Sequence, residues 1–252
     1  MITCHNLEKF IIETLESVDN QTLTDYEVII VDDCSADNSY NIVKNYIEDK
    51  ENWSLHKTPM QSGVAQSRNL CFELCKGKYV AVLDGDDVWA TCKLEKQYEF
   101  MQKHTIDMCY SSYSFINDES KSLNYTYKTK GTAEYGTLLK ENYIGCSTVV
   151  LSARLAKEFN MDPESKAEDY SFWLNVLKQG YEAMGIIDPL VMYRLHHSSR
   201  SYNKVHAAKA RFLVLRKNEQ IGLLKSLYLF AHYAIKALRK FAHLWTSLLK
   251  QK

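Results

Sequence analysis

Residues 79–87 read Tyr-Val-Ala-Val-Leu-Asp-Gly-Asp-Asp, an apolar run followed directly by three carboxylates within four residues. The apolar part, Tyr79 to Leu83, is typical of a strand that is buried on both faces of a parallel sheet. Because such a sheet is covered by helices on its two faces, this stretch favours an α/β fold. Ligands of open α/β sheets bind at the carboxyl ends of strands. The sequence therefore predicts a binding crevice lined by Asp84, Asp86 and Asp87.

Strand and helix patterns alternate on both sides of this stretch. Tyr26 to Val31 is a second short apolar run, and residues 10–18, 42–47 and 64–75 have apolar side chains at helical spacing. After about residue 105 the pattern loosens, and from about Lys204 it is almost entirely helical. We therefore predict a mostly parallel sheet flanked by helices in residues 1–203 and a helical appendage in residues 204–252.

Charge is distributed unevenly between these two parts. The formal net charge is zero, but residues 204–252 contain eleven Lys and Arg against one acidic residue, so the first 203 residues carry the opposite excess. The longest uncharged stretch of this tail, Ser226 to Ile235, is about half of the ~20 residues that a membrane-spanning helix needs. We expect the tail to lie on a membrane surface as an amphipathic helix, with apolar side chains in the headgroup region and cations on anionic lipid. The cations are Lys225, Lys236, Arg239 and Lys240. A helix that packs on the catalytic domain or on a second subunit is the alternative.

The remaining composition narrows the class of protein. The seven cysteines are mostly within apolar runs rather than C-x-x-C pairs, which indicates a reduced, cytoplasmic protein without a disulfide framework or zinc site. Neither G-x-G-x-x-G nor a P-loop motif occurs, so the dinucleotide and P-loop classes have no support. We expect no nucleic-acid partner.

Carboxylates crowded as they are after Leu83 repel one another unless a cation or a substrate hydroxyl compensates their charge. Mg²⁺ and Mn²⁺ prefer such oxygen ligands and bridge to phosphates. A calcium-binding EF-hand beginning at Asp84 is disfavoured, because Val88 and Trp89 stand where a side-chain oxygen and a glycine are needed. Two alternatives stay open: a phosphohydrolase with Asp84 as nucleophile, although the Thr expected after its motif is missing, and a solvated acidic turn.

Two further motifs carry candidate donor-binding groups. Asp32 and Asp33 follow the strand that ends at Val31, which suits either a ligand contact or a capped turn. The segment from Gly63 to Asn69 opens a helix whose first amides, together with Arg68, suit an anion such as a diphosphate.

Two more motifs with candidate functional residues lie in the second half of the chain. Glu168 and Asp169 stand at a predicted helix start, where the helix dipole favours the ionised carboxylate and makes it available as a base. An ordinary acidic first turn is the alternative. His196 is a candidate metal ligand, although a single histidine is more often structural.

The order and spacing of these motifs resemble family 2 glycosyltransferases over residues 4 to about 200. The segments that carry the resemblance are Ser17–Thr22, Val31–Asp33, Gly63–Asn69, Leu83–Asp87, Glu168–Asp169 with Trp173, and Tyr193–His196. The resemblance implies a GT-A fold. It also implies inverting transfer of a sugar from a nucleotide sugar, such as a UDP-hexose, to a hydroxyl of a polysaccharide or lipid-linked acceptor, with Mn²⁺ or Mg²⁺, in the synthesis of cell-envelope polysaccharide. We expect the enzyme on the inner face of the cytoplasmic membrane.

The same resemblance assigns a role to each candidate residue. The donor would be bound by Asn6, Asp32, Asp33, Arg68 and Asp84. The metal would be held, in a DxD-type motif, by Asp86, Asp87 and His196. Asp169 would be the catalytic base that deprotonates the acceptor. The acceptor region would include Glu168 and Trp173.

The beginning of the chain departs from the family pattern. Family members begin with a full buried strand that runs into a Pro-x-Tyr-Asn-type turn, whereas Met1 to Asn6 match only the end of that strand and the turn. Either the true start lies upstream, or the first strand, which would be central in the sheet, is shortened and the base pocket is compromised. This departure motivates an alternative function, a noncatalytic descendant that binds a nucleotide or a partner protein.

Overall fold

The computed structural model describes residues 1–197, 199 and 204–249, and in residues 239–243 and 245–249 it describes the backbone alone. The strands are β1 (Ile2–Cys4), β2 (Val28–Asp32), β3 (Trp53–Lys57), β4 (Tyr79–Ala81), β5 (Leu83–Asp84), β6 (Val88–Trp89), β7 (Met108–Ile116), β8 (Ser122–Tyr127), β9 (Thr132–Ala133), β10 (Val150–Ser152) and β11 (Ala183–Arg194). The helices are α1 (Ile11–Asp19), α2 (Ser39–Tyr46), α3 (Val64–Leu74), α4 (Lys93–His104), α5 (Tyr135–Leu138), α6 (Ala153–Glu158), α7 (Glu168–Lys178), α8 (Lys204–Leu213) and α9 (Leu223–Leu249). The predicted boundary at residue 203 and the side chains of Arg239 and Lys240 lie outside the described residues.

The described strands form two sheets that share one stretch of backbone. The first sheet has the order β3-β2-β1-β5, and its pairs are parallel. The second has the order β4-β10-β7-β11-β6, in which the β7–β11 pair is parallel and the other pairs along this path are antiparallel. Because Val82 alone separates β4 from β5, this single run of chain belongs to both sheets. The predicted α/β fold is confirmed, although its parallel part covers a smaller share of the sheet than expected.

Burial explains why the first half of the chain folds as it does. All five residues of β2 are buried, as a strand covered on both faces requires. Helix α1 turns Ile11, Leu15 and Val18 towards the same core. Helix α3 begins after Gly63, whose φ of 89° is readily adopted by a residue without a side chain.

Strand β1 is central in the first sheet and short. It has three residues and pairs with Ile30 to Asp32 of β2, whereas β2 and β3 have five residues each. The amino group of Met1 donates to the carbonyl of Ala81 at 2.8 Å. Beside it, at the amino ends of the strands, lies a cavity of about 670 Å³ whose lining includes Val28, Val80 and Trp89. This cavity therefore lies at the end of the sheet opposite to the predicted crevice.

Helices α8 and α9 pack against each other and against the rest of the chain. Helix α9 lies on β8, and Arg211 of α8 is buried, donating to the carbonyls of Leu138 and Leu139 at 3.2 Å each. In the part of the chain that the structure describes, no helix has the length and apolarity that a membrane span requires. The contacts of α8 and α9 with the rest of the chain show that the inner face of the tail packs on protein.

A buried lysine lies in the core near the start of α4. Lys93 is fully buried, and its ammonium stands 4.1 Å from the centre of the Trp89 ring. Within the described residues the Lys93 ammonium makes no hydrogen bond. Burial lowers the pKa of Lys93 from 10.5 to about 7.

This lysine predicts a pH dependence of stability. Between pH 7 and 10.5 the unfolded chain binds more protons at Lys93 than the folded protein does. The contribution of Lys93 to the free energy of unfolding should therefore rise with pH, by at most about 1.4 kcal/mol per pH unit. Urea unfolding at pH 7, 8 and 9 measures this slope, and Lys93→Met should lower it. Equal slopes for the two proteins would show that Lys93 does not titrate in this range.

Candidate active site

The predicted crevice lies at the carboxyl ends of the parallel strands. Asn6 follows β1, Asp33 follows β2, and Asp86 follows β5, so the three loops meet at one edge of the sheet. The Asn6 side-chain carbonyl accepts a hydrogen bond from the backbone N–H of Ala36 at 2.8 Å and so ties the first loop to the second. A cavity of about 350 Å³ opens here, with Asn6, Phe10 and His196 among its lining residues.

Asp33 organises the loop that leads into α3. Its carboxylate accepts hydrogen bonds from the N–H and hydroxyl of Ser62 at 2.7 and 2.8 Å, from the N–H of Gly63 at 2.8 Å and from the hydroxyl of Thr58 at 3.1 Å. Burial acts to raise the pKa of Asp33, but these hydrogen bonds outweigh it and the pKa lies below its ordinary value. Asp33 is therefore an ionised carboxylate whose main partners are the loop itself, and its contact with a base stays a prediction.

Asp32 points in another direction. It is fully buried, and one carboxylate oxygen accepts the N–H of Ser35 at 3.0 Å. The other oxygen is buried without a hydrogen-bond partner among the described residues. The structure thus gives Asp32 a position inside the β2–α2 turn rather than at the surface of the crevice, and its contact with the donor stays a prediction.

His5 lies between these loops and was not singled out from the sequence. Its Nδ1 stands 2.7 Å from the carbonyl oxygen of Asp33, and its Nε2 stands 3.1 Å from the side-chain nitrogens of both Asn6 and Gln61. A carbonyl can only accept, so Nδ1 carries the proton and Nε2 accepts. His5 therefore links the end of β1 to the loop before α3. Its position next to Asn6 in the sequence was the signal that could have identified His5 as a site residue.

The acidic turn after β5 is held tightly against the start of the chain. The hydroxyl of Thr14 donates to the carbonyls of Gly85 and Asp87 at 3.0 and 2.9 Å. A side chain at Gly85 would approach the carbonyl of Thr3 at 2.9 Å and Leu7 at 3.0 Å, so no larger residue fits without movement. The turn and the loop after β1 therefore form one rigid edge of the crevice.

Asp86, which is partly exposed, contacts the buried ring of His196 on another side of this turn. The imidazole Nε2 of His196 lies 2.9 Å from a carboxylate oxygen of Asp86, and the ring of Phe10 packs on His196 with centroids 4.6 Å apart. The structure thus brings together two of the three residues that were expected to hold the metal, although they are distant in sequence.

Asp87, the third residue that was expected to hold the metal, points into the protein interior. It is 1% exposed, and its two carboxylate oxygens accept hydrogen bonds from the hydroxyl of Ser147 at 2.6 Å and the N–H of Arg194 at 2.9 Å. Burial, followed by the charges of Asp86 and Asp84, raises the pKa of Asp87 well above its ordinary value. Both oxygens of Asp87 are therefore used inside the protein in this structure, and its role as a metal ligand stays a prediction.

Arg194 holds the acidic turn after β5 in place through hydrogen bonds. It was not predicted as a site residue. Its guanidinium is buried and donates to the carbonyl of Asp86 at 2.7 Å, to the hydroxyl of Ser120 at 2.8 Å and to the carboxylate of Glu13 at 2.5 Å. Helix α1, the acidic turn and the β7–β8 connection therefore meet on one side chain. The position of Arg194 two residues before His196 was the sequence signal that could have identified it as a site residue.

Arg68 joins the donor side of the crevice to α7. It is buried and donates to Asp84 at 2.5 Å and to Glu168 at 2.9 Å. Burial acts to lower the pKa of Arg68, but the neighbouring carboxylates, Asp84 first, raise it well above its ordinary value. Arg68 is thus a permanent cation between two acids. Glu168 was expected in the acceptor region, and the structure instead buries it in this ion pair.

Asp169 lies in the first turn of α7, next to Glu168. It is partly exposed, and its carboxylate accepts the N–H of Tyr170 at 2.7 Å. It is also among the charges that raise the pKa of Arg68, so its carboxylate lies near that guanidinium. Trp173, expected in the acceptor region, is fully buried beside Phe172 and supports α7 from the core instead.

The residues of the crevice fit a divalent cation only in part. No group of three or more His, Cys, Asp or Glu side chains in the described part of the chain is arranged to hold a metal ion. Asp86 and His196 supply a carboxylate oxygen and an imidazole nitrogen at one point. Mg²⁺ is commonly bound by one or two carboxylates together with substrate phosphates and water, so this pair suits an ion that arrives with a phosphate ligand.

The comparison with protein families decides what this site belongs to. The family model described as "Glycosyl transferase family 2" matches residues 1–157. The chain is a family 2 glycosyltransferase. It is 34% identical to the putative teichuronic acid biosynthesis glycosyltransferase TuaG of Bacillus subtilis, over 94% of each chain. It is 33% identical to the UDP-Glc:alpha-D-GlcNAc-diphosphoundecaprenol beta-1,3-glucosyltransferase WfaP of Escherichia coli, over 96% of this chain and 91% of that one.

Solved structures confirm the GT-A fold of this glycosyltransferase. TarS 1–349 of S. aureus in complex with UDP-GlcNAc superposes with a TM-score of 0.68 at 17% identity, over 92% of this chain and 70% of that one. The mannosyltransferase PcManGT of Pyrobaculum calidifontis, in complex with GDP-Man and Mn²⁺, gives a TM-score of 0.70 at 15% identity, over 99% of this chain and 73% of that one.

The Arg68 ion pairs predict a large effect on stability. Arg68→Met would leave Asp84 and Glu168 without their cation, and breaking a buried pair in this way costs about 3–5 kcal/mol. Arg154→Met is a matched control, because Arg154 pairs with Asp107 at the surface, where such pairs contribute about 0–1 kcal/mol. Urea unfolding of the two variants measures the difference. Similar losses for both would show that Arg68 is not the buried link described above.

Proposed function

We propose that this family 2 enzyme is an inverting, metal-dependent transferase that moves a hexose from a UDP-sugar to a hydroxyl of a lipid-linked or polysaccharide acceptor of the cell envelope. The observation that supports the proposal is the contact between Asp86 and His196 after β5, together with the ion pairs of Arg68 with Asp84 and Glu168, which precede Asp86 and Asp169 in the chain. The pair suits the phosphate end of a donor, and Asp169 suits an acceptor hydroxyl.

The proposed donor is supported by the relatives and by the shape of the site. WfaP is named for a UDP-glucose donor, and the TarS structure contains UDP-GlcNAc. In this chain Asn6 and the loop ordered by Asp33 border the crevice next to the Asp86–His196 pair. A nucleoside would lie along the ends of β1 and β2, with its diphosphate towards Asp86.

Asp86 and His196 would hold a Mn²⁺ or Mg²⁺ ion, which when bound stabilises the negative charge of the departing diphosphate. Arg68 acts indirectly, since its guanidinium is occupied by Asp84 and Glu168. By neutralising these two acids it lowers the repulsion that an anionic donor would meet. It also fixes α7 relative to the donor side, and so positions Asp169.

Asp169 would act as the general base. In the first turn of α7 the helix dipole favours its ionised form. The carboxylate would remove the proton of the acceptor hydroxyl while that oxygen attacks the anomeric carbon on the face opposite to the diphosphate. The bond to the acceptor oxygen forms as the bond to the diphosphate oxygen breaks, so the configuration at the anomeric carbon inverts.

Two substitutions separate the proposed roles. Asp86→Asn removes charge from the metal pair and should abolish Mn²⁺-dependent binding of UDP, measured by calorimetry. Asp169→Asn should leave UDP binding intact while transfer falls by at least about 10²-fold, as the loss of a general base predicts.

The outcomes distinguish this function from its alternative. UDP binding that is independent of Mn²⁺, or lost in Asp169→Asn, would contradict the assigned roles. Binding without turnover over many nucleotide sugars and acceptors would instead support the noncatalytic descendant.

We also infer that α9 attaches the enzyme to the inner face of the cytoplasmic membrane. Its exposed apolar residues recur at helical spacing on the side away from the protein: Leu224, Leu227, Tyr228, Ile235 and Leu238. On the opposite side Ser226 and Leu229 are buried. Exposed Lys225 lies at the edge of the apolar stripe, as an interfacial helix on anionic lipid requires.

This attachment is testable with vesicles. The full chain should float with vesicles of phosphatidylglycerol and phosphatidylcholine and much less with phosphatidylcholine alone. Replacing both Leu224 and Leu238 by Ser should reduce binding by at least about tenfold, given roughly 1.5–3 kcal/mol for each buried leucine. Ile187→Ser is the control, since Ile187 is equally exposed but lies on β11. If the full chain does not bind the anionic vesicles at low salt, the apolar stripe of α9 is a contact with protein instead.

A further inference from the structure

Helix α9 meets the catalytic part of the chain at a small cluster of charges. The carboxylate of Glu141 lies 3.5 Å from the ammonium of Lys236 on α9 and 3.6 Å from that of Lys130. Its second oxygen accepts a hydrogen bond from the hydroxyl of Tyr127 at 2.9 Å. Two lysines from separate segments therefore converge on one carboxylate, which we name the Glu141 junction.

The junction lies on the acceptor side of the site. The guanidinium of Arg211 stacks 4.1 Å from the ring of Tyr170, the neighbour of Asp169, and 4.6 Å from the ring of Tyr233, one turn before Lys236. Burial, followed by the carboxylates of Asp87, Glu141 and Asp169, raises the pKa of Tyr113. The ring of Tyr113 also stacks on that of Tyr127, whose hydroxyl donates to Glu141, with centroids 5.2 Å apart. Tyr113 and Tyr127 therefore connect the junction with the neighbourhood of Asp87 and Asp169.

Cations exceed acids at this junction. Lys128 and Lys140 are exposed and stand beside Tyr127 and Glu141 in the sequence. The side chains of Lys130 and Lys236 are 42% and 50% exposed, whereas that of Glu141 is 17% exposed. Ion pairs with such exposure are weak, so the two lysines can turn to a stronger anion without a large loss. Lysine is a common phosphate ligand in proteins.

We infer that Lys130 and Lys236 form the binding site for the diphosphate of a lipid-linked acceptor. The inference rests on the proposed function and specifies its acceptor. Lys236 is on the same helix as the outer apolar stripe, so a lipid chain lying in the membrane would bring its diphosphate to the junction. The sugar attached to that diphosphate would extend towards Asp169. The junction thus determines which acceptors reach the base.

The direct test is binding of farnesyl diphosphate to the full chain, with farnesyl monophosphate and farnesol for comparison. Calorimetry with saturating UDP and Mn²⁺ excludes binding at the donor side. Lys130→Ala and Lys236→Ala should each weaken diphosphate binding by at least about tenfold, because each removes a hydrogen bond between two charged groups. Farnesol binding should not change. Lys225→Ala is the matched control, roughly three turns earlier on the same helix.

The possible results separate the explanations. Equal binding of farnesyl diphosphate by the wild type and the Lys130/Lys236 double variant would overturn the inference, and so would an equal loss in Lys225→Ala. A double variant that loses its affinity for phosphatidylglycerol vesicles but not for farnesyl diphosphate would assign the lysines to lipid headgroups instead. Lysine-dependent binding of farnesyl diphosphate in a protein that fails to bind UDP would contradict the proposed function while keeping this site.

Discussion

The site depends on one buried cation placed between two buried or half-buried acids. Arg68 of α3 reaches Asp84 at the end of β5 and Glu168 at the start of α7. Each of these charges would be costly to bury alone, and together they compensate one another. Because the three groups come from three separate elements, the ion pairs define where α7 lies relative to the parallel sheet. The distance between the donor side and Asp169 follows from this arrangement.

The acidic turn shows how identical side chains acquire different properties from their surroundings. Asp84 is paired with Arg68, Asp86 faces His196, and Asp87 is enclosed by Ser147 and Arg194. The neighbours determine which carboxylate stays available to a ligand. Of these three neighbouring acids, Asp87 is held inside the protein, Asp84 is an ion-pair partner and Asp86 is the candidate ligand.

Much of the fold could be predicted from the sequence, because buried apolar runs and amphipathic spacing are local signals. The runs at Tyr26 to Val31 and Tyr79 to Leu83 contain strands where expected. The mixed second sheet was not predicted, since β7 and β11 pair over many residues that are distant in the chain. The placement of the acids at strand ends also followed from the sequence.

The direction of individual side chains could not be predicted in this way. Asp87 turns inward because Ser147 and Arg194, far away in sequence, supply its hydrogen bonds. Trp173 is buried because α7 packs on the core, and Asp32 is enclosed in the turn that it precedes. The roles of His5 and Arg194 likewise depend on partners from several elements. Such contacts exist only after the chain has folded.

The close approach at Gly85 has a consequence for how the enzyme can change over evolutionary time. A side chain added at Gly85 would meet the carbonyl of Thr3 and the side chains of Leu7 and Ile11, so the acidic turn packs closely on the first strand and the segment that follows it. A change in either loop is tolerated only if the other changes to match. We therefore expect substitutions at these positions to be epistatic, so that the two loops that border the crevice diverge as a unit.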